Sequence, residues 1–174
     1  GEMLLVPGKT ANYASFIMEG LVKSYYTREA DMAEVVTKFM YEKSIITSIF
    51  SYFGRKPGNE YIVALEDTLV ASLHYDDMQQ LLKDHPVFNT IIRAKRAGKD
   101  PSLFVESWAS RILSSRFELL MLTASETLAE DRYAFFLKHF PHLLQRLALK
   151  DVASYLGMTV ETLSRVRGRY RKLQ

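Results

Sequence analysis

Residues 149–166 read LKDVASYLGMTVETLSRV, and this segment indicates more about the architecture than the rest of the chain. Two short helices that cross at a steep angle need a small residue at the crossing, a residue that tolerates positive φ in the turn, and apolar facing sides. Ala153 meets the first requirement and Gly157 the second. The apolar residues are Val152, Leu156, Met158, Leu163 and Val166. We therefore predict a helix-turn-helix whose second helix covers residues 159–172.

Basic residues gather in that second helix. The chain carries 23 Lys+Arg and 20 Asp+Glu, a net charge of +3, and residues 160–174 hold five bases against the single acid Glu161. A block of this kind is either a solvated helix face or a surface for a polyanion, and charge alone leaves both open. With Leu163, Val166 and Tyr170 facing the core, helical spacing directs the polar residues to the opposite side. These residues are Glu161, Thr162, Arg165, Arg169 and Lys172.

Three of these positions have both a structural and a DNA-binding interpretation. Thr159 is the expected N-cap, and its hydroxyl could equally meet a phosphate. Glu161 either stabilises the helix start through the macrodipole or accepts a hydrogen bond from cytosine N4. Arg165 either pairs with Glu161, for about 0.3–0.5 kcal/mol, or reads guanine bidentately, for about 1–3 kcal/mol of discrimination.

The N-terminal part of the chain has the pattern of a β protein. Short apolar runs rich in β-branched and aromatic residues alternate with turn signals such as Pro7-Gly8, Glu19-Gly20 and Pro57-Gly58-Asn59. The runs cover residues 3–6, 15–18, 21–26, 34–41, 61–65 and 68–73. This pattern predicts a small β-roll or sandwich, whose open face needs a cover.

Helical spacing replaces the strand pattern after Leu73. Asp76 and Asp77 favour a helix start, and that helix reaches His85-Pro86. Asp100-Pro101 opens a long helix to about Leu122, and Thr123-x-x-Glu126 resembles a capping box before another helix that Pro141 closes. We expect three parts: a roll with flanking helices over 1–100, the long helix over 101–122, and the helix-turn-helix unit over 123–174.

The long helix carries an apolar stripe formed by Val105, Trp108, Ile112, Leu119 and Leu122, with a second apolar line beside it. A helix that is apolar on two sides needs two partners. One partner would be the roll, and the other would be a second copy of the chain, which predicts a homodimer. Burial within a single monomer remains the alternative.

Composition excludes several classes of function. Without cysteine the chain has no disulfide framework, thiolate zinc site or Cys-ligated cluster. The pair His139 and His142, interrupted by Pro141, has poor metal-ligand geometry, so we expect no metal site. We find no Ser/His/Asp elbow, phosphate loop or HExxH motif, and expect no enzyme. No apolar run is long enough for a membrane span, and we expect a cytoplasmic protein.

A β-roll, a long helix and a C-terminal helix-turn-helix, in this order, resemble the CRP/FNR family of bacterial transcription regulators. Residues 4–8 and 16–22 resemble the early strands of that family's roll, and residues 141–146 and 159–165 resemble its Bacteroidetes-type branch. The resemblance implies an α+β fold with a cyclic-nucleotide-binding-like jelly roll and a winged-helix-like unit that lacks an obvious wing. By position, Glu161 and Arg165 match the base-reading residues, while Lys150, Thr159 and Thr162 match phosphate-side positions.

The chain departs from the family in its ligand cassette. Family members have Phe-Gly-Glu for the ribose and Arg-Ser/Thr-Ala for the cyclic phosphate, whereas this chain has Ile46-Thr47-Ser48-Ile49 and Gly58-Asn59-Glu60. A buried phosphate without its arginine would be an uncompensated anion, so we do not expect cyclic AMP to bind in the usual way and assign no cofactor. A different anion near Arg55 and Lys56, an apolar molecule or no ligand at all remain open. Val160 also replaces an arginine that many members carry, which puts the usual half-site in doubt.

The sequence therefore predicts a dimeric, sequence-specific regulator that binds double-stranded DNA through Lys150, Thr159, Glu161, Thr162, Arg165 and Arg169. RNA polymerase is a further candidate partner. The rival hypothesis is a nucleotide or small-molecule sensor that acts by protein contact and carries a vestigial helix-turn-helix.

Overall fold

A computed structural model gives the fold and describes residues 1–85 and 128–172. The N-terminal part is mostly strand and the C-terminal part is helical. The elements are β1 (Met3–Leu5), β2 (Tyr13–Glu19), β3 (Leu21–Thr27), β4 (Glu34–Tyr41), β5 (Ile45–Ile46), α1 (Ile49–Gly54), β6 (Tyr61–Ala64), β7 (Leu69–His74), α2 (Tyr75–Asp84), α3 (Ala129–His139), a 3-10 turn (Pro141–Leu143), α4 (Leu149–Tyr155) and α5 (Val160–Lys172).

The strands form two antiparallel sheets, with the orders β1-β6-β3-β4 and β5-β2-β7. In the larger sheet β3 is a central strand, and five successive residues from Leu21 to Tyr25 are buried because both faces of the sheet are covered. Gly20 makes the β2–β3 turn at φ 116°, and a Cβ there would lie 2.7 Å from the Thr68 Cα. The predicted α+β class and β-roll are confirmed.

The interior of the roll is a small apolar core between the two sheets. It is formed by Ile17, Val22, Met40, Ile46 and Ile62. A second and larger core lies on the other face of the four-stranded sheet. There Leu21, Val36 and Phe39 pack in one cluster with Phe136 and Tyr155 from the C-terminal helices. The sheet is therefore covered by the helix-turn-helix unit itself.

The start of α2 and the end of α3 agree with the predictions, whereas Leu128, expected inside the helix after the capping box, is extended (ψ 145°) and precedes α3, which begins at Ala129. α2 begins at Tyr75, and the His74 Nδ1 accepts a hydrogen bond from the Asp76 N–H at 3.3 Å. α3 ends at His139, ahead of Pro141. Within the described ranges, no helix has the length and apolar character that crossing a membrane requires.

Several predictions fall outside the described residues. They are the helix 101–122 with Val105, Trp108, Ile112 and Leu119, the capping box at Thr123 and Glu126, and the boundaries at residues 100 and 122. These stay predictions.

Candidate nucleic-acid interface

The predicted helix-turn-helix is confirmed as α4, a tight turn and α5. Gly157 adopts φ 63°, the left-handed conformation that glycine reaches without steric cost. The turn is closed by hydrogen bonds from the Gly157 N–H to the Ser154 carbonyl at 3.2 Å and from the Met158 N–H to the Ala153 carbonyl at 3.0 Å. Ala153 is buried at the crossing. The two helices are consequently held at a fixed angle.

Thr159 is the N-cap of α5, as the sequence predicts. Its Oγ1 accepts a hydrogen bond from the Thr162 N–H at 3.2 Å. The adjacent Glu161 is exposed, and its own backbone N–H and the Thr159 hydroxyl both lower the pKa of its carboxyl group. A charged carboxylate therefore stands at the start of α5, where the macrodipole favours it.

α5 has one buried side and one exposed side. Leu163 and Val166 are buried, and Tyr170 packs edge-on against Tyr133 with ring centroids 5.7 Å apart. The side chains of the predicted DNA-binding surface lie elsewhere on the helix. Glu161, Arg165 and Arg169 are exposed, Thr162 is half-buried, and Lys150 is exposed in the first turn of α4. The side chain of Lys172, also predicted on this surface, is not among those that the structure describes.

The two arginines on this surface differ in their contacts. The Arg165 Nη2 donates to the Thr162 Oγ1 at 3.4 Å, and in the described part of the chain Arg165 forms no ion pair with Glu161. The Arg169 Nη1 lies 2.9 Å from the Glu130 Oε1 of α3, with the side chains 64% and 33% exposed. Arg165 is thus available to a ligand, whereas Arg169 shares its charge with α3.

The polar contacts between the roll and the helix-turn-helix unit were not predicted from the sequence. Lys23 of β3 contacts Asp151 of α4 at 2.7 Å. Arg146 contacts Glu42 at 2.7 Å and also bonds Glu66. One signal was available: Lys23 lies between Leu21 and Tyr25 on the buried side of a strand, where a lysine needs an acidic partner. The partner, 128 residues away, has no local signature.

The roll contains a cavity of about 490 Å³ that is lined mainly by apolar side chains, among them Leu5, Ile46, Ile62 and Val70. Three hydroxyl groups on its wall have protein partners. Ser15 and Ser72 hydroxyls are hydrogen-bonded to each other at 2.8 Å, and the Thr47 Oγ1 donates to the Tyr13 carbonyl at 3.2 Å.

Arg55, one of the two candidate anion ligands, is bonded within the protein. Its guanidinium donates to the Ala11 carbonyl at 3.0 Å and to the Asn12 Oδ1 at 2.8 Å, and it lies 4.2 Å from the centre of the Tyr75 ring. Lys56 is exposed, and its carbonyl accepts a hydrogen bond from the Ser51 hydroxyl at 2.6 Å. Arg55 therefore fastens the loop between β1 and β2 to α1 and α2.

Sequence comparison relates both parts of the chain to known regulators. The family model described as cyclic nucleotide-binding domain matches residues 1–85. The anaerobic regulatory protein of Haemophilus influenzae is 27% identical over 186 residues, covering 99% of this chain and 65% of the relative. The fumarate and nitrate reduction regulatory protein of Escherichia coli is 26% identical over 187 residues, covering 99% and 66%. The chain thus spans just under two thirds of the length of these relatives.

Solved structures share this architecture. FixK2 from Bradyrhizobium japonicum superposes with a TM-score of 0.75 at 19% identity, covering 99% of this chain and 81% of that one. A transcriptional regulator of the CRP/FNR family from Thermus thermophilus superposes with a TM-score of 0.64 at 17% identity, covering 99% and 82%. Residues 1–85 thus match the cyclic nucleotide-binding domain, and the chain has the fold of a solved regulator of the CRP/FNR family. The narrower assignment to a Bacteroidetes-type branch stays a prediction.

In this chain the residues at the cassette positions make other contacts. Ser48 precedes α1 without a side-chain capping bond. Asn59 is exposed, and the Glu60 Oε2 is hydrogen-bonded to the Ser24 hydroxyl of β3. A carboxylate at Glu60 and an amide at Asn59 do not suit the anionic phosphate of a cyclic nucleotide. The residues present therefore do not fit the ligand that gives the domain its name.

Proposed function

We propose that this chain is a sequence-specific DNA-binding transcription regulator that inserts α5 into the major groove. The observation that carries the proposal is the two-sided character of α5. Leu163 and Val166 anchor one side in the core, while Glu161 and Arg165 project from the other. A helix fixed in this way presents a rigid row of hydrogen-bonding groups to base edges.

Each side chain on this surface has a defined role in the proposal. Arg165 donates to guanine O6 and N7, and Glu161 accepts from cytosine N4. Thr159, Thr162 and Lys150 contact phosphates and set the register of the protein on the duplex. Arg169 adds positive charge beside Glu130, so its contribution is weaker than that of Arg165.

The proposed active form is a homodimer joined through the helix 101–122. Val105, Trp108, Ile112 and Leu119 would face the second copy, as the stripe predicts. Such a dimer reads a pseudo-palindrome with half-sites roughly 34 Å apart. The proposed activity is control of transcription rather than catalysis, since the relatives are named as regulatory proteins. The proposed location is the cytoplasm, and RNA polymerase is a proposed partner.

Selection from a random duplex library tests this proposal. We expect wild-type protein to enrich one pseudo-palindrome, and Arg165→Ala to lose preference at a guanine by about 1–3 kcal/mol. Arg171→Ala is the matched control, because Arg171 is an exposed arginine on another side of the same helix. It should weaken binding evenly across sequences and reduce the salt dependence. A wild-type protein that enriches nothing would instead favour the sensor with a vestigial helix-turn-helix.

We further propose that cyclic AMP is not the effector. The cavity wall is largely apolar, and residues 46–49 and 58–60 contain neither the arginine nor the glutamate of the usual cassette in register. Thermal-shift measurements with cyclic AMP and cyclic GMP test this point, and an upward shift of Tm that saturates with nucleotide concentration would contradict it.

A further inference from the structure

Lys23 places a buried positive charge between the roll and the helix-turn-helix unit. Lys23 is 5% exposed, and it lies on the side of β3 that also carries Leu21 and Tyr25. The ammonium Nζ lies 2.7 Å from the Glu34 Oε2 and 2.7 Å from the Asp151 Oδ1. Asp151 is also 5% exposed. Burial lowers the pKa of Lys23, but its hydrogen bonds to Asp151 and Glu34 outweigh burial and raise the pKa, so the ammonium group is charged.

A second polar contact lies one helical turn further along α4. The Ser154 Oγ donates to the Glu34 carbonyl at 2.6 Å and accepts from the Val36 N–H at 2.9 Å. Asp151 and Ser154 are three residues apart and therefore share one face of α4. That face is held at two points against β3 and β4, which fixes the rotation of the helix as well as its distance.

Apolar packing alone does not fix rotation in this way. The hydrophobic effect is non-directional, so apolar contacts between the roll and α4 oppose a small rotation of the helix less sharply than an ion pair does. A buried ion pair is directional, because moving either partner leaves a desolvated charge without compensation. The turn at Gly157 then transmits the orientation of α4 to α5.

We propose that Lys23 and Asp151 form a positioning pair that sets the direction in which α5 projects from the roll. Neither residue contacts DNA in this proposal; both act through α4. The inference rests on the proposed function only for its effect on DNA binding. Its geometric content, the orientation of α5 against the roll, is independent of any ligand.

The geometric content is tested by the distance between two nitroxide spin labels. The chain contains no cysteine, so Phe50→Cys and Gly168→Cys provide unique attachment sites. Phe50 is 76% exposed on α1, and a Cβ at Gly168 meets no atom within 4 Å. We expect a narrow distance distribution for this labelled protein by pulsed electron double resonance. Lys23→Met and Asp151→Asn should each broaden and shift it.

Two controls separate positioning from a general loss of stability. Asp31→Asn removes the exposed ion pair with Arg28, whose side chains are 57% and 49% exposed, and should leave the distribution unchanged. The exchange of Lys23→Asp with Asp151→Lys, combined with Glu34→Gln because Glu34 also contacts Lys23, keeps opposite charges at the two sites and should restore the narrow distribution. If the single variants do not fold, Asp151→Glu keeps the charge but lengthens the side chain by one methylene, and it should shift the distribution; an unchanged distribution would count against the pair.

The effect on DNA affinity is measured separately, with the duplex that the wild-type protein selects. We expect Lys23→Met and Asp151→Asn to bind it about tenfold more weakly and to tolerate altered half-site spacing, and the exchange variant to recover both properties. Folded variants with an unchanged distance distribution would overturn the inference. Wild-type protein that selects no DNA, together with a broadened distribution in the variants, would overturn the proposed function and leave the positioning pair standing.

Discussion

At the scale of single residues, the backbone conformation of Gly157 determines how α5 is oriented relative to α4. Its φ of 63° is open to glycine and strained for residues with a Cβ. The hydrogen bonds that close the turn involve the residues on both sides of it. The angle between α4 and α5 therefore depends on a conformation that other side chains would disfavour.

We expect Gly157→Ala to lower the free energy of unfolding by about 1–2 kcal/mol, because alanine must take up the left-handed conformation. Gly168→Ala is the matched control, since Gly168 lies inside α5 where a Cβ meets no atom within 4 Å. That change should raise the free energy of unfolding by up to about 1 kcal/mol. Urea unfolding of the two variants measures both effects, and losses of equal size would contradict the argument.

Glu42 links a single ionisation to stability. The Arg146 guanidinium holds the pKa of Glu42 at about 2, against an ordinary value of 4.5. Because the folded-state pKa is the lower one, this stabilisation is complete above the ordinary pKa and is lost as pH falls toward the folded value. Glu42→Gln should therefore lower stability at neutral pH and weaken its decline between about pH 5 and pH 3.

Urea unfolding at several pH values measures this effect. Glu29→Gln is the control, since Glu29 is an exposed glutamate in the turn between β3 and β4. A pH dependence that is the same in Glu42→Gln and wild type would show that the Arg146 contact does not stabilise the fold.

At the scale of secondary-structure elements, the contact between α4 and β4 is made by a helix side chain on a strand edge. β4 is the outer strand of its sheet, and the Ser154 hydroxyl supplies both a donor and an acceptor to it. A hydroxyl can do this because it carries one O–H and two lone pairs.

Ser154→Ala removes both hydrogen bonds and should lower the free energy of unfolding by about 1–3 kcal/mol. Ser164→Ala tests the same chemical change at an exposed site of α5 and should alter stability by less than about 0.5 kcal/mol. Thermal or urea unfolding of the two serine variants gives the comparison. Equal effects would mean that the contact with β4 contributes nothing specific.

Elements with strong local patterns could be predicted from the sequence, and those without them could not. The helix-turn-helix is specified by small, glycine and apolar residues within eighteen positions, and it appears as predicted. β5 has only two residues, too few for alternation, and α1 has six, with apolar residues on several sides. Neither was predicted. The Lys23–Asp151 pair joins residues 128 positions apart, a distance over which local spacing carries no information.

At the scale of the whole molecule, the roll and the C-terminal helices share one hydrophobic core. Leu21, Val36 and Phe39 belong to the same cluster as Phe136 and Leu163. Neither part keeps that core intact without the other, because each would expose its half to water. We therefore expect the described residues to unfold as a single cooperative unit.

We expect urea unfolding to follow one cooperative transition, with the same midpoint by far-UV circular dichroism and by NMR signals of both parts. Phe136→Ala, which empties the shared core, should move all probes together and cost about 3–5 kcal/mol. Loss of the helical signals at a lower urea concentration than the strand signals would contradict the single unit.

The place of Ser154 on the rim of the sheet has a consequence for solubility. Outer strands are templates for pairing with other chains, and proteins protect them with helices, loops or charges. Here β4 is covered by the helix-turn-helix unit, which is also the proposed DNA-binding unit. A copy whose C-terminal part separated from the roll would expose the edge of β4 to other chains, so the contact made by Ser154 serves both solubility and the docking of the helix-turn-helix unit.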